Sequence, residues 1–542
     1  MPETLELSTI LALFIGLALL STVARVLGAA SPFVMLVGGV AIAFIPGFPA
    51  ITLDPDLVLL GLLPPLIYSS GVGMSWRGFR ANLRPILLLA VGCVLFTASA
   101  VAAVAHYALG LPWTVGFVLG AIVSPPDSVA PMALLRRLRL PRRLLTTLEG
   151  ESLVNDATAL VTLSFALEAL GSGRFSPGAV AVRFLLIVGG EAAFGCVIAS
   201  AMLRLRHFVA DARAEVLLAL ATPFLTFWPP HELGGSGVVS CVAAGLYVSW
   251  NGRNYIRPAT RLQGYFIWSL VTWCIEALAF LVCGLQARAI VANLSSAGWP
   301  ALLAAGALIS VTVIVVRFIW VFPVTYLPRW LWPPLRKREP PPNWRPAFLI
   351  GYTGLRGAVS LAAALSVPLT VGGSPFPQRD LILFTTICVI VTTLVFQGAA
   401  LARVAEWLCL GRAGAREAAS NSRAESAARV KGVDAALALL DRAEQSAGRP
   451  SPAIEALRRL QYERRANFVD GTDEAQADIP VTVVNALRLD LIEAERKANS
   501  AEYEKNRITD EARRRIEREL DLEEASIRHS MARDAGDAVG SG

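Results

Sequence analysis

The chain has 542 residues, 54% of them hydrophobic and only 17% charged, with a net charge of +7. That is too apolar for an ordinary soluble protein. The first 410 residues hold 27 Lys and Arg against 17 Asp and Glu, and the rest 22 against 25, so the basic excess belongs to the apolar part, where cytoplasmic loops require it, and gives no argument for nucleic acid.

Thirteen apolar runs follow one another between about residues 8 and 404, which predicts about thirteen membrane helices. The first has no basic leader or clear cleavage site and reads as a retained helix. Lys and Arg test the count. The loops on one side hold twenty of them, including Arg77, Arg80, Arg84, Arg142, Arg143 and Arg329, while the opposite loops hold Arg174, Arg288 and Arg379. A wrong helix count would scramble this alternation. It predicts an N-terminus outside and a cytoplasmic C-terminus. Four further arginines, Arg183, Arg317, Arg356 and Arg403, fall inside runs.

The fifth run, about 112–137, is interrupted by Ser124-Pro125-Pro126-Asp127-Ser128. Two prolines delete two backbone donors and clash with the preceding turn, so the helix should unwind and free carbonyls. Unwound backbone at membrane depth is tolerated only around buried or watered cavities. Asp127 is placed to cap a second half-helix.

The sixth run opens with L-E-G-E-S-L-V-N-D-A-T-A-L, residues 148–160. Asp156 falls near the bilayer midplane, where a charge is expensive and is kept only when it is used. Ser152 and Asp156 are four apart and share a face, as do Glu151 and Asn155. A hydroxyl and a carboxylate side by side, with an amide next door, are hard oxygen donors suited to small cations.

Further acids lie in later runs. Glu191 has no clear role, Glu168 falls at an interface, and Glu276, in W-C-I-E-A-L-A-F, faces protein. The twelfth run holds G-Y-T-G-L-R-G-A-V-S, residues 351–360. Its Arg356 is a permanent cation that requires a carboxylate partner. Two inverted repeats of six helices, joined by a seventh, would make runs five and twelve equivalents, and matched broken helices in two halves mark a transporter's binding site. After residue 410 the chain turns Ala-, Glu- and Arg-rich with helical apolar spacing, broken at Pro450, Pro452, Gly471 and Pro480. The expected division is a transmembrane domain at 1–410 and a cytoplasmic helical tail, structural or regulatory, at 411–542.

Three motifs, E-S-L-V-N-D at 151–156, S-P-P-D-S-V-A-P at 124–131 and G-L-R-G-A-V-S-L at 354–361, resemble the bacterial branch of the monovalent cation:proton antiporter-1 family, the NhaP/NHE-type Na+/H+ antiporters. P-P-L-I-Y at 64–68 and S-G-V-V-S-C-V-A-A-G-L at 236–246 resemble its helices 3 and 9. The resemblance covers roughly residues 8–410. It implies an all-α polytopic membrane protein with the NhaA/NhaP-like antiporter fold, working as a homodimer in the bacterial inner membrane. By resemblance Asp156 takes the ion and the proton in turn, and Asn155 hydrogen-bonds Asp127. Ser152 and the Pro126 carbonyl help coordinate Na+, and Glu151 pairs with Arg356. Two positions depart from the pattern. Pro126-Asp127-Ser128 stands where the family usually has T-D-P, and Ser69 stands where some members carry a second ion-binding carboxylate.

Rival classes fit less well. A membrane hydrolase needs a nucleophile and base or paired metal-binding histidines, yet the chain has four histidines and His231-Glu232 lacks the second histidine of H-E-x-x-H. No C-x-x-C occurs among its seven cysteines, so no zinc site or other cofactor is expected beyond the transported Na+ and H+. A cation channel would favour rings of pore-lining groups rather than one asymmetric site. The sequence therefore predicts an antiporter, not an enzyme. It exchanges Na+, Li+ or K+ for protons by alternating access, electroneutrally, in the service of pH and sodium homeostasis. A K+-preferring exchanger is the nearest alternative.

Overall fold

The computed structural model describes residues 7–27, 31–45, 58–127, 140–172, 177–209, 211–288, 298–331, 333–338, 343–371, 374–447, 452–470, 481–504 and 519–528, with Met132, Leu135, Leu138, Ile516 and Met531 beside them. It contains two compact units, Met1–Arg412 and Ala413–Gly542.

The first unit is helical apart from a two-stranded antiparallel ribbon, Thr370–Val371 with Ser374–Pro375. Its helices are α1 Leu7–Leu27, α2 Ser31–Ala43, α3 Val58–Gly73, α4 Leu83–Leu109, α5 Trp113–Val123, α6 Arg142–Ser172 and α7 Pro177–Phe208. They continue as α8 Ala212–Glu232, α9 Val238–Tyr255, α10 Pro258–Leu285, α11 Trp299–Leu331, α12 Trp344–Tyr352, α13 Ala358–Leu365 and α14 Arg379–Trp407. Among the described residues six helices are long and apolar enough to cross a membrane, and five shorter apolar helices accompany them. Two of the breaks in the sequence fall at helix ends. α5 stops at Val123, ahead of Pro125 and Pro126, and the twelfth run divides at Thr353–Gly357 into α12 and α13.

Packing follows the inverted-repeat logic. α2 lies along α10, and α9 along α3; if helices 2 and 9 are equivalents, and 3 and 10, these two contacts are images of one another. Each is closed by facing glycines. A Cβ on Gly39 would sit 2.2 Å from the Leu281 carbonyl oxygen, and one on Gly284 2.3 Å from that of Leu36. At the other pair, a Cβ on Gly245 would sit 2.7 Å from the Tyr68 oxygen, and one on Gly71 3.0 Å from Gly245 Cα. Only glycine permits backbones this close. α4 packs on α5 and α11, and α11 on α12 and α14. The main core runs from Val115, Val118 and Ile122 of α5 through Leu153 and Leu160 of α6 to Leu361 and Leu365 of α13. Large apolar side chains such as Phe14, Leu186 and Leu303 stay exposed, as lipid-facing positions do.

The second unit holds α15 Gly411–Ala447, which begins just before it, then α16 Pro452–Asp470 and α17 Val481–Glu504. Exposed ion pairs join its helices, Arg458 to Asp441 and Glu444, and Arg496 to Asp521 and Glu524.

Candidate functional site

Two unwound segments cross beside α6. The chain after α5, Ser124–Asp127, has lost its helix because Pro125 and Pro126 cannot donate. The chain between α12 and α13, Gly354–Gly357, is likewise non-helical. They meet through the backbone, where the Asp127 amide donates to the Leu355 carbonyl at 2.7 Å. The Asp127 carboxylate lies over Gly357, where a Cβ would sit 1.7 Å from Oδ2, so any larger residue would displace it. The half-helix that Asp127 was expected to cap would start at residues 128–131, which lie outside the described residues.

α6 supplies the polar face. It is 31 residues long, so Asp156 stands about 21 Å from its start, close to its middle at ~1.5 Å per residue. Asn155 is fully buried, and its Nδ2 donates to the Pro126 carbonyl at 2.8 Å. This corrects the expected bond to the Asp127 carboxylate. The unwound chain presents a carbonyl at that depth, and the amide satisfies it; Asn155 Oδ1 is buried with no partner among the described residues. The Pro126 oxygen retains one lone pair for a cation. Asp156, one residue on, is partly exposed. Among the described residues no group donates a hydrogen bond to its carboxylate or forms an ion pair with it. Asp127 lies near enough to both Asp156 and Glu276 for their charges to interact. A cavity of about 10 Å³ is lined by Pro126, Asp127, Glu151, Ser152, Arg317 and Thr353 among others, room for a single water-sized body.

The expected ion pair is overturned. Glu151 pairs with Arg317 of α11, not with Arg356. Arg317 Nη1 and Nη2 donate to the two Glu151 carboxylate oxygens at 2.6 and 3.0 Å, and its Nε donates to the Ile350 carbonyl at 3.0 Å. Both side chains are almost wholly buried. Arg356 instead lies among carbonyls. Its Nε donates to Val123 at 2.8 Å, Nη2 to Ser124 at 3.0 Å and Nη1 to Gly354. The reason is local: unwinding strips helical donors from Val123 and Ser124, and a guanidinium brings five N–H groups in one plane. The Arg356 amide donates to Thr393 Oγ1 at 3.1 Å, where α14 carries the π-helical turn Thr393–Gly398. Sequence reasoning missed Arg317, although a lone arginine inside V-I-V-V-R-F-I-W of an apolar run was the same signal that singled out Arg356.

Two further expected residues lie on other helices. Ser69 donates its hydroxyl to Leu66 within α3 at 2.9 Å. Glu276 is half-buried on α10, which packs on α13. Glu191, left without a role by the sequence, is buried and accepts from the amides of Ser236, Gly237 and Val239 and from the Ser236 hydroxyl. It thus caps the start of α9.

Unwound chains crossing at membrane depth over a buried acidic helix define a secondary transporter of the inverted-repeat antiporter class. The transmembrane sodium/hydrogen exchanger family matches residues 10–407, and the chain belongs to that family, on the NhaP/NHE-type branch. An uncharacterized Na+/H+ exchanger of Mycobacterium tuberculosis is 32% identical over 92% of this chain and 91% of its own. The Na+/H+ antiporter ApNhaP of Aphanothece halophytica is 30% identical over 78% and 76%. A sodium, potassium, lithium and rubidium/H+ antiporter of Bacillus pumilus is 30% identical over 69% of this chain and 57% of its own. In fold, the chain matches the sodium proton antiporter MjNhaP1 of Methanocaldococcus jannaschii with a TM-score of 0.60, at 19% identity, over 74% of this chain and 98% of that one. The protein is an integral membrane cation/proton antiporter.

Proposed function

We propose that this antiporter exchanges one Na+ for one H+ electroneutrally across the bacterial inner membrane, with Asp156 as the shared carrier. The observation that carries the reading is the Asp156 carboxylate, mid-helix, partly exposed and lacking any described hydrogen-bond donor. A carboxylate held that way must take a cation or a proton before its site can cross the bilayer. Ser152 and the Pro126 carbonyl stand as further Na+ ligands. Asp127 sets the local field, and Asn155 holds the unwound chain against α6.

The charge account supports electroneutrality. Glu151 and Arg317 cancel one another, and Arg356 keeps its charge among carbonyl dipoles in every state. Asn155 cannot titrate. The variable charge is then that of Asp156, filled by H+ in one direction and Na+ in the other. The physiological frame is a homodimer with the N-terminus outside, serving pH and sodium homeostasis, and residues 411–542 act as a cytoplasmic regulatory tail.

The test is purified protein in liposomes with an imposed pH gradient, adding Na+, Li+ and K+ in turn. Na+ and Li+ should collapse the gradient, and Asp156→Asn should remove the response. Clamping the membrane potential at different values should leave the Na+ rate unchanged. A rate that follows voltage would overturn one-for-one exchange. The Bacillus pumilus relative, named for four cations, favours a broader second reading, which a strong K+ response would establish.

A further inference from the structure

A cavity of about 230 Å³ lies among the ends of α4, α6, α11 and α12. Its lining has two parts. Arg84, Arg143 and Arg329 supply three cations, while Leu88, Leu144 and Val324 help to form an apolar wall. Arg329 also donates its Nη1 to the Thr325 carbonyl within α11. Arg84 lies in the first turn of α4, Arg143 in the first turn of α6, and Arg329 in the last turn of α11; Pro346 of the lining is in the first turn of α12. Under the orientation proposed above, all four helices present their cytoplasmic ends here.

We infer that this cavity is a binding site for an anionic phospholipid of the cytoplasmic leaflet. Guanidinium groups bind phosphate oxygens with paired N–H donors. A free phosphate would leave the leucine and valine wall with nothing to bury, whereas a phospholipid brings both an anion and an acyl chain. Anionic lipids also concentrate where basic residues meet the cytoplasmic leaflet.

The position gives such a lipid a mechanical consequence. Leu144, Thr147 and Val321 of the cavity stand four residues from Leu148, Glu151 and Arg317 of the ion-site cavity. Ile350, also in the lining, gives its carbonyl to Arg317. A bound lipid would therefore brace the Glu151–Arg317 pair from one helical turn away. That link rests on the antiporter reading, but binding itself is read without transport.

The experiment is thermal unfolding of delipidated full-length protein in neutral detergent, titrated with phosphatidylglycerol, phosphatidylcholine or inorganic phosphate. Phosphatidylglycerol should raise the midpoint saturably, and the other two should not. The triple variant Arg84→Gln, Arg143→Gln, Arg329→Gln should weaken the apparent affinity for phosphatidylglycerol at least tenfold. Val324→Trp, which keeps every charge and fills the wall, should weaken it comparably and decides the matter alone if the triple variant does not fold. Unchanged affinity in the Trp variant, or equal protection by inorganic phosphate, would overturn the lipid site.

Discussion

Glu191 and Asp156 are both acids inside the membrane unit, and the structure treats them in opposite ways. Glu191 is buried at the start of α9 and accepts from three backbone amides and a hydroxyl. Those bonds tie it to the start of α9 and make it part of the frame. Asp156 sits mid-helix with partial exposure and no described donor. The difference separates an acid whose surroundings already hold it from one that is left open for the exchange proposed above. Both lie in apolar sequence, and what separates them is whether the surroundings have already satisfied the charge.

The sharpest test of that contrast swaps each carboxylate for its amide. Asp156→Asn should reduce exchange to background, a loss of at least a hundredfold, with no fall in melting temperature. Glu191→Gln should do the reverse. Its amide offers one acceptor oxygen to several donors, a loss of roughly 3 kcal/mol on the scale of bonds to a charged group. Exchange per folded molecule should survive. If Asp156→Asn unfolds the protein while Glu191→Gln alone abolishes exchange, the two roles are reversed.

A second pair of charges gives a smaller but still large effect. Glu151 and Arg317 neutralise one another, so Arg317→Ala strands a buried carboxylate and should cost about 3–5 kcal/mol. Glu151→Gln combined with Arg317→Met should recover much of that loss, since neither charge is then alone. Arg356→Ala should lower stability in both the wild-type and the Glu151→Gln backgrounds, because its partners are the carbonyls of Val123, Ser124 and Gly354. Thermal melts of the series would read this; a loss that vanishes in the Glu151→Gln background would restore the Glu151–Arg356 pair.

Removing the chain after Arg412 should have a milder outcome. The described acids and arginines of the crossing all precede that point, so exchange should persist with a shifted pH profile. Complete loss in a folded truncated protein, measured in liposomes, would make residues 413–542 part of the transport unit.

The smallest effect is expected in the second unit. Hydrogen bonds from Arg528, and then Arg496, hold the Glu524 carboxyl below its ordinary range. A lowered value means that its contribution is present above that range and is lost as pH falls through the folded value. These groups lie at the surface in reach of solvent, so Glu524→Gln should barely move the melting temperature at neutral pH, and added salt should erase the difference.

Much of this was legible in covalent structure. Pro125 and Pro126, next to an acid in mid-run, signalled a break, and Gly354 and Gly357 mark a chain that needs room, so both unwound segments could be placed from the sequence, although Pro229 and Pro230 sit inside α8 without unwinding it. Asp156 stood out because a mid-run carboxylate is rare. What the sequence withheld was the choice of partner. Glu151 had two candidate arginines, and the selection depends on α11 bringing Arg317 beside α6, a tertiary fact with no local trace. Unwinding was expected to free carbonyls, yet nothing in the spacing showed that Arg356 would take those of Val123 and Ser124, leaving Pro126 to Asn155. Glu191 was opaque for the same reason: the amides it caps lie 45 to 48 residues away.

The facing glycines of α2 with α10 and of α3 with α9 bear on how such a protein can turn itself inside out. In an inverted-repeat carrier the outward form is reached when each half adopts the arrangement the other held before. The two contacts are carried into one another by that exchange, so the pair as a whole is preserved, and backbones already touching have no slack to slide. Gly39, Gly71, Gly245 and Gly284 are therefore expected to stay in contact in both forms, a hub about which the other helices turn.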